Sequence, residues 1–212
     1  MARIGKAAPN WRLKYYGNLC PSAGGKCISI AFVPWWLGYL LVSPIRRLQH
    51  APARILAPYI REGMTVLEPG PGMGFFTLEL ARRVGAPGRV IAVDIQPKMI
   101  ERLKRRAAKA NLIERIDVRV ARSDSMQLNW LGNSVDFVLA FAVVHEMPDA
   151  ATFFAEAAET MKPIARMLLA EPSGHVSEEE FEAELEMARG AGLEVEAWSA
   201  IRRSRTAVLR KS

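Results

Sequence analysis

The segment Val66-Leu67-Glu68-Pro69-Gly70-Pro71-Gly72-Met73-Gly74-Phe75-Phe76-Thr77 is an apolar run that breaks into glycines at alternate positions. Glycine has no Cβ, so a backbone of this kind turns sharply and comes close to a bound molecule. A helix that follows such a loop presents free N–H groups to a carboxylate or phosphate. An acid, Glu68, stands two positions before the first glycine. About 20 residues beyond the loop, Val90-Ile91-Ala92-Val93-Asp94 ends in a second carboxylate, placed to accept hydrogen bonds from both hydroxyls of a ribose. Together the two features point to a bound nucleoside rather than to a structural turn. The dinucleotide fingerprint is G-x-G-x-x-G. Here the third glycine comes one residue early and Phe75 holds the sixth position, which disfavours a nicotinamide cofactor.

Such residues need strand tips to hold them, and the pattern around them supplies a series of strands. Apolar runs predict strands at Met64–Glu68, Arg89–Asp94, Arg115–Ala121, Ser134–Ala140, Arg166–Glu171, Leu193–Trp198 and Arg205–Leu209. Helical spacing predicts helices over Phe75–Val84, with Phe76, Leu80 and Val84 on one face, and over Pro97–Ala110, with Met99, Ile100 and Leu103 inward. Two more follow at Ala150–Met161 and Ser177–Arg189, the latter opening with acids in its first turn. Pro52 is placed to open a short helix near 52–61. Alternating strands and helices imply a parallel sheet with helices on both faces. Only a few residues separate the last two strands, too few for a parallel crossover, so they should pair antiparallel. The expected architecture is α/β: a seven-stranded, mostly parallel sheet with helices on both faces and an antiparallel last strand, at 51–212, preceded by an N-terminal arm at 1–50.

The run E-x-G-x-G-x-G at the end of an apolar strand resembles motif I of the class I, Rossmann-like, S-adenosylmethionine-dependent methyltransferases of the small-molecule type. The resemblance extends from about Met64 to Leu209. It implies S-adenosyl-L-methionine as cofactor, with Glu68, Gly70, Gly72 and Gly74 holding its methionine part, where a carboxylate can pair with the ammonium. It implies Asp94 as the ribose ligand and Ile95 as a packing surface for adenine. After the third strand, Arg122-Ser123-Asp124-Ser125 places Asp124 where the family's acid bonds the adenine amino group, with Ser125 beside it. Serine and aspartate are also ordinary helix caps.

The fourth strand and its exit read Asp136-Phe137-Val138-Leu139-Ala140-Phe141-Ala142-Val143-Val144-His145-Glu146-Met147-Pro148-Asp149. Ligands of open α/β sheets bind beyond the carboxyl ends of the strands. Ala140 and Phe141 should therefore lie near the cofactor, and His145 and Glu146 near the acceptor. His145 is the candidate general base, needed only if the acceptor must lose a proton; the same position often has a structural role. Phe75, Phe141, Trp35 and Trp36 are candidate apolar walls. Absent motifs narrow the chemistry further. Leu139-Ala140-Phe141-Ala142 is not the Asn/Asp-Pro-Pro-aromatic run of methyltransferases acting on nucleic-acid bases. Ala140 and Phe141 are not metal ligands, and His50, His145 and His175 show no zinc-type spacing, so no metal is expected. Arsenite methyltransferases use several cysteines spread through the chain, whereas Cys20 and Cys27 both lie near the N-terminus. Lys162-Pro163-Ile164-Ala165 departs from the family's Lys-Pro-Gly-Gly before the fifth strand, which alters that turn. Glu171-Pro172-Ser173-Gly174-His175 is a candidate wall of the acceptor cleft.

Half of the residues are hydrophobic and 24% are charged, enough to build a core and argue against global disorder. Two cysteines do not make a disulfide framework, and a reducing, cytoplasmic compartment fits better. The net charge of +7 is uneven: residues 1–62 hold nine Lys and Arg against one acid, Glu62. A basic arm suits an anionic partner or simple solubility. Residues 1–27 read as loop, and 35–48 as helical up to Pro44. Residues 28–42 are mostly apolar but shorter than the ~20 residues of a membrane span. With Trp35, Trp36, Tyr39, Arg46 and Arg47, the stretch 28–48 is expected to dock over the active site as a lid, with peripheral membrane contact as the second reading. The resulting expectation is a methyltransferase for a small or lipid-like acceptor. The alternatives are an RNA methyltransferase using the basic arm, with nucleic acid the less favoured partner, a nicotinamide oxidoreductase, and a non-catalytic cofactor-binding module.

Overall fold

Alternate residues of each central strand serve two separate cores, as expected for a sheet covered on both sides. The computed structural model describes residues 51–212 except Ser123. The expected loop at 1–27, the helix at 35–48 and the lid fall outside the described residues. The elements are α1 (Pro52–Leu56), β1 (Thr65–Pro69), α2 (Thr77–Val84), β2 (Arg89–Asp94), α3 (Pro97–Lys109), β3 (Ile116–Val120), β4 (Val135–Phe141), α4 (Ala150–Thr160), β5 (Met161–Pro172), α5 (Glu178–Gly190), β6 (Leu193–Trp198) and β7 (Ser204–Lys211). One core joins Val66, Val90, Phe137, Leu139, Leu168 and Val208 to Leu56 of α1, Leu80 and Val84 of α2, and Leu103 of α3. The other joins Leu67, Ile91, Val138, Met167 and Leu209 to Phe153 and Phe154 of α4 and Phe181 and Leu185 of α5.

The seven strands lie in the order β3-β2-β1-β4-β5-β7-β6. β1 to β5 run parallel, and β7 pairs antiparallel with both β5 and β6. The chain order reverses between β1 and β4, which is where open α/β sheets open a crevice for a ligand. Far from that crevice, Asp136 ties three strands together. Its carboxylate accepts the Thr65 N–H at 2.8 Å and the Lys162 ammonium at 2.6 Å.

Helix ends follow their sequence cues. Pro97 opens α3, Asp149 caps α4 through the Ala151 and Thr152 N–H groups, and Ser177 and Glu180 form a reciprocal capping box on α5. Two expectations are revised. α1 ends at Leu56, short of the expected residue 61, because Pro58 follows and does not favour a continuing helix. β5 begins at Met161 rather than Arg166, because Met161 pairs with Val135 and the register shifts before Phe137 pairs with Arg166. The Lys-Pro-Ile-Ala stretch is thus an irregularity within the strand, with Ile164 at φ 60°.

Candidate active site

The glycine loop fills the gap between β1 and α2. Gly70, Gly72 and Gly74 all have positive φ, at 64°, 54° and 81°, a region unfavourable to other residues. Their surroundings differ. A Cβ on Gly70 would stand 2.5 Å from Val143 Cγ2, and one on Gly74 would stand 2.4 Å from Leu103 Cδ1. Outer glycines therefore let the loop press against the exit of β4 and against α3. A Cβ on Gly72 meets nothing within 4 Å, so the middle of the loop faces open space. Helix α2 starts at Thr77, later than the expected Phe75, because Gly74 must first turn the chain; Phe76 offers it no side-chain cap.

Two acids stand at the loop. Glu68, 4% exposed, leaves one carboxylate oxygen without a hydrogen-bond partner, with the buried Thr77 hydroxyl nearby. Burial pushes the Glu68 carboxyl up to about 8; the Thr77 hydroxyl opposes the shift and the Asp94 charge adds to it. Asp94, at the tip of β2, accepts the Gly72 N–H at 3.2 Å and the Gln96 N–H at 2.8 Å. Burial raises its pKa, against the backbone N–H groups of Gln96, Gly72 and Ile95 that favour its charge. An orphaned buried acid, an unfilled notch at Gly72 and an uncapped helix start fit a ligand carrying an ammonium and a carboxylate. Asp94 beside them fits a ribose.

The exit of β4 meets both the glycine loop and the end of β5. Ala142 has φ 55°, a strained conformation for alanine, and donates its N–H to the Ala170 carbonyl at 2.7 Å. The chain then enters a short 3₁₀ turn at Val144–Glu146. Glu171, fully buried, accepts the Val143 and Val144 N–H groups at 3.2 and 2.9 Å through one oxygen and pairs with His145 Nδ1 through the other. The His145 Nε2 lies 3.9 Å from a Glu146 carboxylate oxygen. The His145 and His175 rings meet edge to face, centroids 6.0 Å apart. Burial lowers the His145 pKa, but the bond and charge of Glu171, with Glu146 and Glu184, more than reverse this and leave it raised. Glu146 is raised by burial despite His145, and it feels the charges of Glu171 and Asp94.

A family model described as a methyltransferase domain matches residues 60–203. The chain belongs to this family. The SAM-dependent methyltransferase from Aquifex aeolicus superposes on this methyltransferase domain with a TM-score of 0.74 and 26% identity, over 84% of this chain and 98% of that one. Membership of the family and this likeness make S-adenosylmethionine the cofactor. The demethylmenaquinone methyltransferase of Lactiplantibacillus plantarum is 30% identical over 102 residues, 48% of this chain and 42% of that protein. The arsenite methyltransferase of Halobacterium salinarum is 30% identical over 109 residues, 51% of this chain and 27% of that protein. The chain thus spans less than half the length of these curated relatives.

Within the methyltransferase domain, Glu68, Gly70, Gly72, Gly74 and Asp94 come together at the carboxyl ends of β1 and β2, with Gly72 facing open space. Ile95 is half-buried beside Asp94. Phe141 is 9% exposed and packs on Phe76 with centroids 4.5 Å apart, so its ring belongs to the core under the loop. Asp124 is exposed and paired with Arg122 at 3.1 Å, which lowers its pKa, while the Ser125 hydroxyl accepts the Gln127 N–H at 3.0 Å. These two residues bond locally rather than to the other site residues. Sequence reasoning placed Glu171 only in a cleft wall and passed over Glu184. Glu184 is 7% exposed on α5 with one oxygen unpartnered, and burial followed by the Glu171 charge pushes it up to about 8. The signal existed: Phe181, Glu184, Leu185 and Ala188 fall at the spacing of one helical face. No group of three or more His, Cys, Asp or Glu residues that could hold a metal ion occurs among the described residues, and no helix there is long and apolar enough to cross a membrane.

Proposed function

We propose that this domain transfers a methyl group from S-adenosylmethionine to a small, lipid-like acceptor of the quinol type. The observation that carries the cofactor half is the unpartnered oxygen of the buried Glu68 carboxylate beside the open notch at Gly72. The acceptor half is supported by the demethylmenaquinone methyltransferase among the relatives and by the basic, aromatic arm, whose composition suits an amphipathic molecule. The arsenite relative suggests a different acceptor, but both cysteines of this chain lie within residues 1–27, leaving 51–212 without a thiol.

When bound, the cofactor supplies an electrophilic methyl group on a sulfonium. The residues of the chain bind, orient and keep out water. Glu68 takes the ammonium and is ionised by it. The first N–H groups of α2 and the Gly72 backbone take the carboxylate. Asp94 takes the ribose hydroxyls, and Ile95 packs on the adenine. Asp124, on leaving Arg122, and Ser125 reach the adenine amino group. Phe141 and Phe76 close the apolar side, so that transfer proceeds in a dry, aligned site. His145 stands at the acceptor end as the proton acceptor. Residues 1–50 are proposed to cover that end and to bring the domain to a lipid surface. Incubation with S-adenosylmethionine and a short-chain demethylmenaquinol, followed by mass spectrometry, should show a singly methylated product. Tight S-adenosylhomocysteine binding without product from this acceptor would overturn the acceptor assignment. Failure to bind S-adenosylhomocysteine would overturn the whole reading.

A further inference from the structure

We infer that Glu171 is a positioning residue that locks His145 in its Nδ1–H form and so turns a proton-accepting Nε2 toward the acceptor end of the crevice. The inference rests on the proposed methyl-transfer reading for its purpose, though not for its geometry.

Glu171 is fully buried, where an unpaired carboxylate would be strongly disfavoured. Its charge is compensated by donors: the Val143 and Val144 N–H groups on one oxygen and His145 on the other. A carboxylate only accepts, so the hydrogen in the Glu171–His145 contact sits on Nδ1 of the ring. In neutral histidine the other nitrogen then carries the lone pair. The imidazole side chain retains 15% of its surface in solvent while the Glu171 side chain retains none, so one end of the pair is sealed and the other accessible.

Ionisable groups face the ring from every side. Glu171 comes from β5, Glu146 from the same turn as His145, Glu184 from α5 and His175 from the connection between β5 and α5. Three are carboxyls, and of these the bond and charge of Glu171 do most to favour a proton on the ring. Glu184 has a pKa pushed up to about 8 by burial and by the Glu171 charge, so near neutral pH it stays largely protonated. The site is joined to the cofactor loop, because Val143, whose N–H binds Glu171, also packs against Gly70. In the step this arrangement serves, the proton of an acidic acceptor hydroxyl moves to Nε2. The electron pair of the broken O–H bond is delocalised from the oxygen onto the neighbouring ring carbon, which forms the bond to the methyl group as the methyl–sulfur bond breaks and its pair stays on sulfur. The carbon then loses its own hydrogen as a proton to restore the aromatic ring, so no oxidant or reductant is needed.

The test uses the full chain with S-adenosylhomocysteine, labelled with ¹⁵N at histidine and read by long-range proton–nitrogen NMR. The chain has three histidines, so His145→Gln assigns the signals. The wild type should show His145 protonated at Nδ1 and bare at Nε2 above its pKa, and that pKa should lie above the ordinary histidine value. In Glu171→Gln the amide can turn its NH₂ to Nδ1, which must then accept. The ring should switch to the Nε2–H form, its pKa should fall, and methylation of a short-chain demethylmenaquinol should drop roughly 100-fold or more in kcat with KM changed less. Glu171→Asp, which keeps the charge, should retain the Nδ1–H form. A wild type in the Nε2–H form, or an unchanged tautomer in folded Glu171→Gln, would overturn the inference. Loss of S-adenosylhomocysteine binding by the wild type would instead strike the cofactor reading and leave the tautomer result standing.

Discussion

The glycine loop supports a paired test, because the same substitution at two of its positions should have opposite effects on stability and on binding. Alanine at 72 or at 74 meets a positive φ, which costs about 1–2 kcal/mol for a residue with a Cβ. Part of this, about 0.4–1 kcal/mol, is offset by the stiffer unfolded chain. At Gly72 there is no further charge, since the new methyl enters open space. Gly72→Ala should therefore lose about 1 kcal/mol, or about 2–4 °C in Tm. At Gly74 the methyl would stand 2.4 Å from Leu103 Cδ1, a side chain with no exposed surface to move into. Overpacking adds about 1–3 kcal/mol, so Gly74→Ala should lose about 2–4 kcal/mol and roughly twice to four times as much Tm. Binding should rank the other way. The methyl at 72 protrudes where the cofactor's methionine part would lie, so Gly72→Ala should weaken S-adenosylhomocysteine at least about tenfold, about 1.4 kcal/mol. Scanning calorimetry of the ligand-free proteins and titration calorimetry with S-adenosylhomocysteine read both quantities. Wild-type affinity in Gly72→Ala, or equal stability of the two variants, would refute the assignment of the notch.

Asp94→Ala should weaken S-adenosylhomocysteine by about 1–3 kcal/mol, the range for losing a buried hydrogen-bonding partner, and unchanged affinity by calorimetry would remove Asp94 from the ribose. Glu68 and Glu184, both pushed up to about 8, hold protons in the folded state that the unfolded chain releases near its ordinary value of 4.5. Their contribution is thus present below pH 4.5 and is lost as pH rises through about 8. Glu184→Gln should accordingly be more stable than the wild type above pH 8, by about 1–2 kcal/mol once solvent screening is allowed for, and the gap should close in acid; urea denaturation across pH measures it. An ammonium arriving beside Glu68 should expel its proton, so titrations of S-adenosylhomocysteine at pH 7 in buffers of differing ionisation enthalpy should show proton release that Glu68→Gln abolishes. Removal of residues 1–48 should leave the sheet folded by circular dichroism while methylation of the demethylmenaquinol probe is lost; full activity would refute the lid.

What the sequence disclosed, and what it concealed, follows from how local each signal is. The glycine loop, β2 and the inward face of α3 could be read directly, because turn chemistry and apolar spacing act over a few neighbouring residues. The antiparallel pairing of β7 followed from the shortness of the β6–β7 connection. The start of β5 was hidden because Lys162-Pro163 has the look of a turn, and only pairing with Val135 extends the strand through it. The partner of His145 lies 26 residues away on β5, and nothing in the local pattern of either residue announces the other. Glu184 sits among surface-looking acids of α5, and its burial comes from the tertiary packing of that face. Asp124 and Ser125 have the family's spacing, yet they form short-range bonds with Arg122 and Gln127.

On the proposed methyl-transfer reading, the contact between Gly70 and Val143 would join donor grip to the turn that carries His145 through a single methyl group. A larger residue at 143, adopted to suit a new acceptor, would first displace the loop that grips the donor. On that reading, changes of acceptor would be accommodated further out while this seam stays small on both sides. That makes the inner crevice a fixed chassis and leaves the periphery as the part free to be retooled.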